Sequence, residues 1–260
     1  MCIRDRLVIV KNNYVELSKE AGKFVADRLK RKPNLVLGLA TGSTPLGLYK
    51  ELIRMHKYEG LDFSKVTTFN LDEYVGLPPS HDQSYHYFMQ KNFFDEVNID
   101  PRFIYVPHGM AKDIEQFCKW YEDRIKSFGG IDVQVLGIGA NGHIAFNEPG
   151  SSLGSRTRIK TLTSTTRDAN KRFFKKNEIV PKYAITMGVG TIMDAKELLL
   201  VASGKSKADA IKASVEGPLT AMCPASIIQM HKEAFVIVDK EAGSKLNGTY
   251  VDTWDTILIE

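Results

Sequence analysis

Short apolar, β-branched runs alternate along this chain with longer stretches whose apolar residues recur at intervals of three and four, and no other feature restricts its fold so far. The runs are Leu7–Val10, Leu35–Ala40, Val66–Leu71, Ile104–Val106, Val133–Ile138, Tyr183–Val189, Leu198–Ala202 and Phe235–Val238. The helical patterns cover Tyr14–Lys30, Pro45–Tyr58, Ser84–Phe94, Ile114–Phe128, Arg167–Phe174 and Lys205–Val215. Strands that must each return past a helix pair in parallel and need cover on both sides, so the pattern predicts an α/β, doubly wound, mainly parallel sheet with helices on both faces. With no repeat, low-complexity linker or composition shift, residues 1–260 read as one domain, and Met1–Arg6 (MCIRDR) as an extraneous start.

A formal charge of +4, spread without long basic blocks, gives no reason to expect nucleic acid and suits a small anionic ligand such as a phosphate ester. Three cysteines, Cys2, Cys118 and Cys223, are odd in number and lack C-x-x-C spacing, against a disulfide framework or a zinc site and in favour of a reducing cytoplasm. No apolar run approaches the roughly 20 residues of a membrane span, and Met1–Arg6 lacks a signal peptide's apolar segment.

Open α/β sheets bind ligands beyond the carboxyl ends of their strands, so the residues following each run carry the functional information. Thr41-Gly42-Ser43-Thr44-Pro45 follows one run, Asp72-Glu73-Tyr74 another, Asn141 and His143 on a glycine turn a third, and Ser203-Gly204-Lys205-Ser206-Lys207 a fourth. TGSTP leads into a helix opening at Pro45, where Ser43 and Thr44 either cradle an anion or simply cap the helix through Thr44. Neither TGSTP nor GKSK completes a phosphate-binding loop of the G-x-x-x-x-G-K-[ST] type. Taken alone, GKSK is a solvated lysine pair; beside an anion site it supplies Lys207.

Leu136–Gly150 reads LGIGANGHIAFNEPG, and Gly137, Gly139 and Gly142 match the G-x-G-x-x-G of a dinucleotide-binding turn. The context does not: Asn147, Pro149 and Gly150 break the chain where a helix should open, and Arg156, Arg158 and Lys160 stand where an acidic residue should meet a ribose. The glycines are expected instead to let backbone N–H groups and His143 approach a small polar substrate. His143 is not isolated, because Asn141 and Glu148 are near enough in sequence to orient the imidazole and tune its basicity for general acid–base catalysis. With no second histidine nearby, no metal is expected. Asp72, at a strand end beside Glu73, is a candidate base for removing a proton α to a carbonyl, although either carboxylate could simply cap the next turn.

Taken together, ATGSTP, FNLDEYVGL with SYHYFM, LGIGANGHIAFNEPGSSLGSRTR and VPKYAITMGVGTIM resemble the glucosamine-6-phosphate isomerase/deaminase family, in its order and spacing, from about Leu7 to Asp239. The resemblance implies a Rossmann-like fold and conversion of glucosamine 6-phosphate and water to fructose 6-phosphate and ammonia in amino sugar catabolism, without redox cofactor or catalytic metal. It implies Asp72 as the base that moves the C2 proton towards C1 through an enediol-type intermediate, and His143, held by Glu148 and Asn141, as the group that opens the pyranose ring. Phosphate falls to Ser43, Thr44, Arg172 and Lys207, with Thr41, Gly42, Gly137 and Ala145 also counted among the substrate-binding positions. Some family members carry aspartate at the position of Asn141. Asparagine adds no charge to the relay, so an Asn141→Asp variant is expected to have the higher His143 pKa.

In allosteric members of the family, N-acetylglucosamine 6-phosphate binds between subunits of a hexamer at positions matching Ser151, Arg158 and Lys160. The tyrosine that completes the site falls near Thr253 and Trp254, and the chain ends soon after, at Glu260, so activation is not the expectation, and a homo-oligomer is one reading of the partners, a hexamer if the chain is allosteric. The alternatives are a sister enzyme, galactosamine-6-phosphate deaminase or 6-phosphogluconolactonase, and a non-catalytic sugar-phosphate sensor with an added DNA-binding segment. The lactonase needs no base at C2, and a sheet pattern starting by Leu7 leaves no space for that segment before it.

Overall fold

The computed structural model describes residues 6–252. Its main sheet has seven strands, all parallel, in the order β1-β10-β9-β6-β2-β3-β5. These are β1 (Arg6–Lys11), β2 (Val36–Leu39), β3 (Thr67–Asn70), β5 (Ile104–Tyr105), β6 (Val133–Leu136), β9 (Glu197–Ala202) and β10 (Ala234–Asp239). Helices α1 (Tyr14–Arg31), α2 (Pro45–Glu59) and α3 (Tyr85–Asn92) contribute to one apolar layer with Leu37, Leu199 and Ile237. Helices α4 (Ile114–Ser127), α6 (Val189–Met193) and α7 (Ala208–Val215) contribute to the other, with Leu198, Leu200 and Val236. Successive strand residues alternate between the layers, as the two-residue period of a strand requires. Each fully buried Leu or Phe in these layers adds about 1.5–3 kcal/mol.

Two expectations need correction. Tyr183–Val189 is not a strand of the parallel sheet: it divides into β8 (Tyr183–Thr186) and the start of α6, and β8 is the centre of a second, antiparallel sheet between β4 (Asp72–Tyr74) and β7 (Arg158–Thr161). An apolar run buried on both faces looks alike in either sheet, which is why the sequence did not separate them. Helix α5 spans Ser164–Lys171 and starts three residues before Arg167, because Thr163 Oγ1 accepts from Thr166 N–H as its N-cap. Strand β1 takes in Arg6, the last residue of the start segment; Met1–Asp5, with Cys2, lie outside the described residues. Cys118 and Cys223 are buried free thiols. Among the described residues no helix is long and apolar enough to cross a membrane.

Candidate active site

Strands β2 and β6 lie side by side, but the chain leaves β2 towards one edge of the sheet and leaves β6 towards the other. Adjacent strands with diverging connections leave a crevice at their carboxyl ends. TGSTP follows β2 and the glycine turn follows β6, so both border it. Asp72 follows β3 on one side and Ser203–Lys207 follows β9 on the other. Four consecutive strands, β3-β2-β6-β9, therefore deliver the four segments singled out in the sequence.

At Leu71 the chain changes sheets. Leu71 N–H still bonds Leu39 O of β2 at 3.1 Å, whereas Asp72 pairs with Thr186 of β8. Asp72 is buried, and burial, aided by the neighbouring Glu73 charge, pushes its carboxyl up to about 8. Glu73, also buried, serves differently: its carboxylate accepts the N–H groups of Tyr74 (2.8 Å), Tyr85 (3.0 Å) and His86 (2.9 Å). The last two open α3, while Ser84 Oγ accepts Tyr87 N–H, so Glu73 is a buried anion at a helix N-terminus. Burial lifts it to about 7 against those three donors. Of the two carboxylates, Glu73 is the one that caps the next helix.

The glycine turn builds a hydrogen-bonded relay. Asn141 Nδ2 donates to Glu148 Oε2 at 2.9 Å, which turns Asn141 Oδ1 towards His143 Nδ1 at 2.7 Å. An amide oxygen only accepts, so Nδ1 carries the hydrogen and Nε2 keeps its lone pair. Glu148 Oε2 lies 3.7 Å from Nδ1. Burial holds the imidazole pKa below its ordinary value, Glu148 opposes that shift, and the Lys207 charge adds to it. Glycines here make room for the protein itself. A Cβ on Gly139 would lie 2.2 Å from the His143 ring, and one on Gly142, where φ is +82°, would lie 2.5 Å from Cys223 Sγ. Only Gly137 among them faces open space, so the expectation of room for a ligand holds there alone. Ala145, with φ +50°, occupies a left-handed conformation rare for a residue with a Cβ, inside the tight Ile144–Asn147 turn.

The cradle after β2 is held from below. Tyr14 Oη bonds Ser43 O and Thr44 O at 2.9 Å and accepts Gly47 N–H at 2.8 Å. Gly42 has φ +111° and nothing near its missing Cβ. Thr44 stands at the N-cap of α2, yet its side chain makes no capping bond, so the simple capping alternative fails; in the first turn Pro45 has no N–H and Gly47 N–H is already taken by Tyr14 Oη, while Ser43 is exposed beside it. Across the crevice, Asp239 fixes the Ser203–Gly204 turn by accepting Ser203 Oγ–H and Gly204 N–H, which leads into Lys205–Lys207. Lys207 is half-buried; burial lowers its pKa and the Arg172 charge lowers it further. Arg172, at the C-terminus of α5, stacks over Phe173 at 4.6 Å. The two cations, Arg172 and Lys207, are therefore close enough to act on one another.

Ser151, Arg158 and Lys160 are not part of this cluster. Arg158 and Lys160 share one face of β7; the Arg158 guanidinium donates to Asn147 Oδ1 at 3.0 Å, and the buried Ser151 hydroxyl has no hydrogen-bond partner among the described residues. Thr253 and Trp254 lie outside the described residues. His81, Asp82 and Glu178 converge elsewhere, where Lys175 already pairs with Asp82 at 2.9 Å. Sequence reasoning missed Thr166, buried on α5, whose hydroxyl donates to Glu148 Oε1, Tyr14 beneath the cradle, and Asp239 at the Ser203–Gly204 turn across from it. Only the Thr163 cap before the apolar-poor STTRDANK stretch gave a signal for the first of these.

Over residues 13–237 the chain matches the family described as glucosamine-6-phosphate isomerases/6-phosphogluconolactonase. A glucosamine-6-phosphate deaminase of a Thermoanaerobacter species is 56% identical over 237 residues, 91% of this chain and 94% of its own length. One from Clostridium perfringens is 53% identical over 241 residues, 93% of this chain and 99% of its own. The solved structure of a monomeric glucosamine-6-phosphate deaminase superposes with a TM-score of 0.90 at 47% identity, covering 92% of this chain and 99% of that one.

Proposed function

The chain belongs to the glucosamine-6-phosphate isomerase/6-phosphogluconolactonase family, and from that premise we infer an enzyme that converts glucosamine 6-phosphate and water to fructose 6-phosphate and ammonia. The observation that carries the assignment of roles is the separation of Asp72, buried without a countercharge, from the His143 relay on a second segment. Phosphate binds at the α2 N-terminus with Ser43, Thr44, Arg172 and Lys207, and the sugar lies along Gly137 and Ala145. His143 Nε2, with no hydrogen bond to any of the described residues, carries the O1 proton to O5 and opens the ring. Asp72 then moves the C2 proton to C1; C2 takes its oxygen from water and ammonia leaves, which balances the reaction. A carboxyl held near 8 is a poor base until it ionises, and the substrate supplies the means: the ammonium on C2 is a cation at the carbon whose proton moves, and an adjacent cation lowers a carboxyl pKa.

Two sister activities share the phosphate cradle, but 6-phosphogluconolactone hydrolysis has no use for a base at C2, and the buried Asp72 favours the deaminase. Catalysis by a single copy is supported by the monomeric relative, and the buried free thiols suit a reducing cytoplasm. The test is incubation with glucosamine 6-phosphate, expecting ammonia and fructose 6-phosphate in equal amounts, with galactosamine 6-phosphate and 6-phosphogluconolactone as comparators. No turnover by folded protein refutes the assignment. In deuterated water Asp72→Asn should lose exchange at C2; exchange at the original rate removes Asp72 as the base.

A further inference from the structure

We propose that Thr166, on α5, is a positioning residue for ring opening, setting the basicity of His143 by holding Glu148 in register. The inference rests on the reading of His143 as the ring-opening group, and the evidence is a directional chain of hydrogen bonds. Thr163 Oγ1 donates to Thr166 Oγ1 at 3.1 Å, and Thr166 Oγ1 donates in turn to Glu148 Oε1. From the other side Asn141 Nδ2 donates to Glu148 Oε2, and Asn141 Oδ1 accepts from His143. Every donor points at the Glu148 carboxylate, which is buried and reached from two elements: the glycine turn after β6 and helix α5. A carboxylate held by one oxygen alone rotates about its last torsion. Held at both, it keeps Oε2 at 3.7 Å from His143 Nδ1.

The charges acting on the His143 ring are Glu148, which stabilises its protonated form, and Lys207, which opposes it; Arg172 acts in turn on Lys207. Losing the Thr166 hydroxyl removes a donor from ionised Glu148 and frees the carboxylate to turn. As the carboxylate turns, its oxygen moves away from His143 Nδ1, the imidazolium loses the negative charge beside it, and the His143 pKa falls. The same short helix continues into Arg172, so the element that carries a phosphate ligand at one end carries the Glu148 anchor at the other.

The test compares Thr166→Val and Thr166→Ser with the parent chain in two measurements. The first is NMR titration of the His143 imidazole without ligand: the valine variant should titrate at lower pH, and the serine variant with the parent. This measurement does not depend on any substrate, so it decides the role of Thr166 even if the assigned reaction fails. The second is turnover of glucosamine 6-phosphate, where Thr166→Val should lower kcat about tenfold with KM within about twofold, and Thr166→Ser should restore kcat. A valine variant that titrates with the parent overturns the proposal, as does a serine variant that behaves like valine. If valine unfolds α5, Thr166→Ala takes its place as the variant without the hydroxyl: it should titrate at lower pH than the parent, and an alanine variant that titrates with the parent overturns the proposal.

Discussion

At the scale of single residues, Asn141 does more than accept a bond from His143. Its amide is a bridge, donating to Glu148 and accepting from the ring, and an aspartate in that place has no hydrogen to donate. Asn141→Asp sets a second carboxylate against Glu148, and both favour the imidazolium, so the His143 pKa should rise by about one unit, worth about 1.4 kcal/mol. The alkaline shift should appear in the imidazole titration and in the pH dependence of turnover. An unchanged profile would mean that the residue beside His143 does not set its charge. The candidate relay was legible because Asn141, His143 and Glu148 lie within one short segment, where proximity in sequence nearly guarantees proximity in space. Thr166 was not, since a threonine 18 positions beyond Glu148 has no pattern connecting it to a carboxylate.

At the scale of elements, most strands and helices were legible from periodicity, and their ends were less so wherever a side chain terminates them. Helix α5 starts early on its Thr163 cap, and α3 is pinned by a carboxylate that comes 12 positions earlier in the chain, at Glu73. Period-based reasoning has no access to such a cap, because it arises only when β4 turns Glu73 onto the end of α3. Glu73→Gln keeps the size but replaces one acceptor oxygen with an N–H₂ group that faces backbone donors. We expect a loss of about 1–3 kcal/mol in chemical denaturation, with faster amide hydrogen exchange along Phe88–Asn92. Full stability with unchanged exchange would show that α3 holds its place without the buried anion. The second sheet was illegible for a related reason: β4, β7 and β8 are short, and only their pairing separates them from loops or from the parallel sheet.

For the whole molecule, the placement of the site beyond the carboxyl ends of the strands was legible from strand alternation, while the strand order that opens a crevice between β2 and β6, and the burial that perturbs Asp72, were not, since both depend on how the whole chain packs. Its consequence is global. An unfolded chain releases the Asp72 proton near its ordinary value of 3.8, whereas the folded protein keeps it up to about 8, so stability falls as pH rises through that window. Asp72→Asn carries no charge and should be the more stable protein, with the gap widening from about pH 4 to about pH 8 to reach several kcal/mol and then levelling off. Urea denaturation at about pH 5, 7 and 9 checks this; a gap that does not vary with pH would contradict it. The change of sheets at Leu71 has a further consequence. The TGSTP turn and the imidazole follow strands of the parallel sheet, while the Asp72 carboxylate belongs to a small antiparallel one that meets it through bonds such as Met187 N–H to Leu71 O and Phe146 N–H to Thr186 Oγ1. Under the proposed roles the base is thus mounted on a different piece of scaffold from the TGSTP turn and the imidazole, and α5, inserted between β7 and β8, ties the two together through Thr166, so exchanging the small sheet would disturb the relay as well as the base.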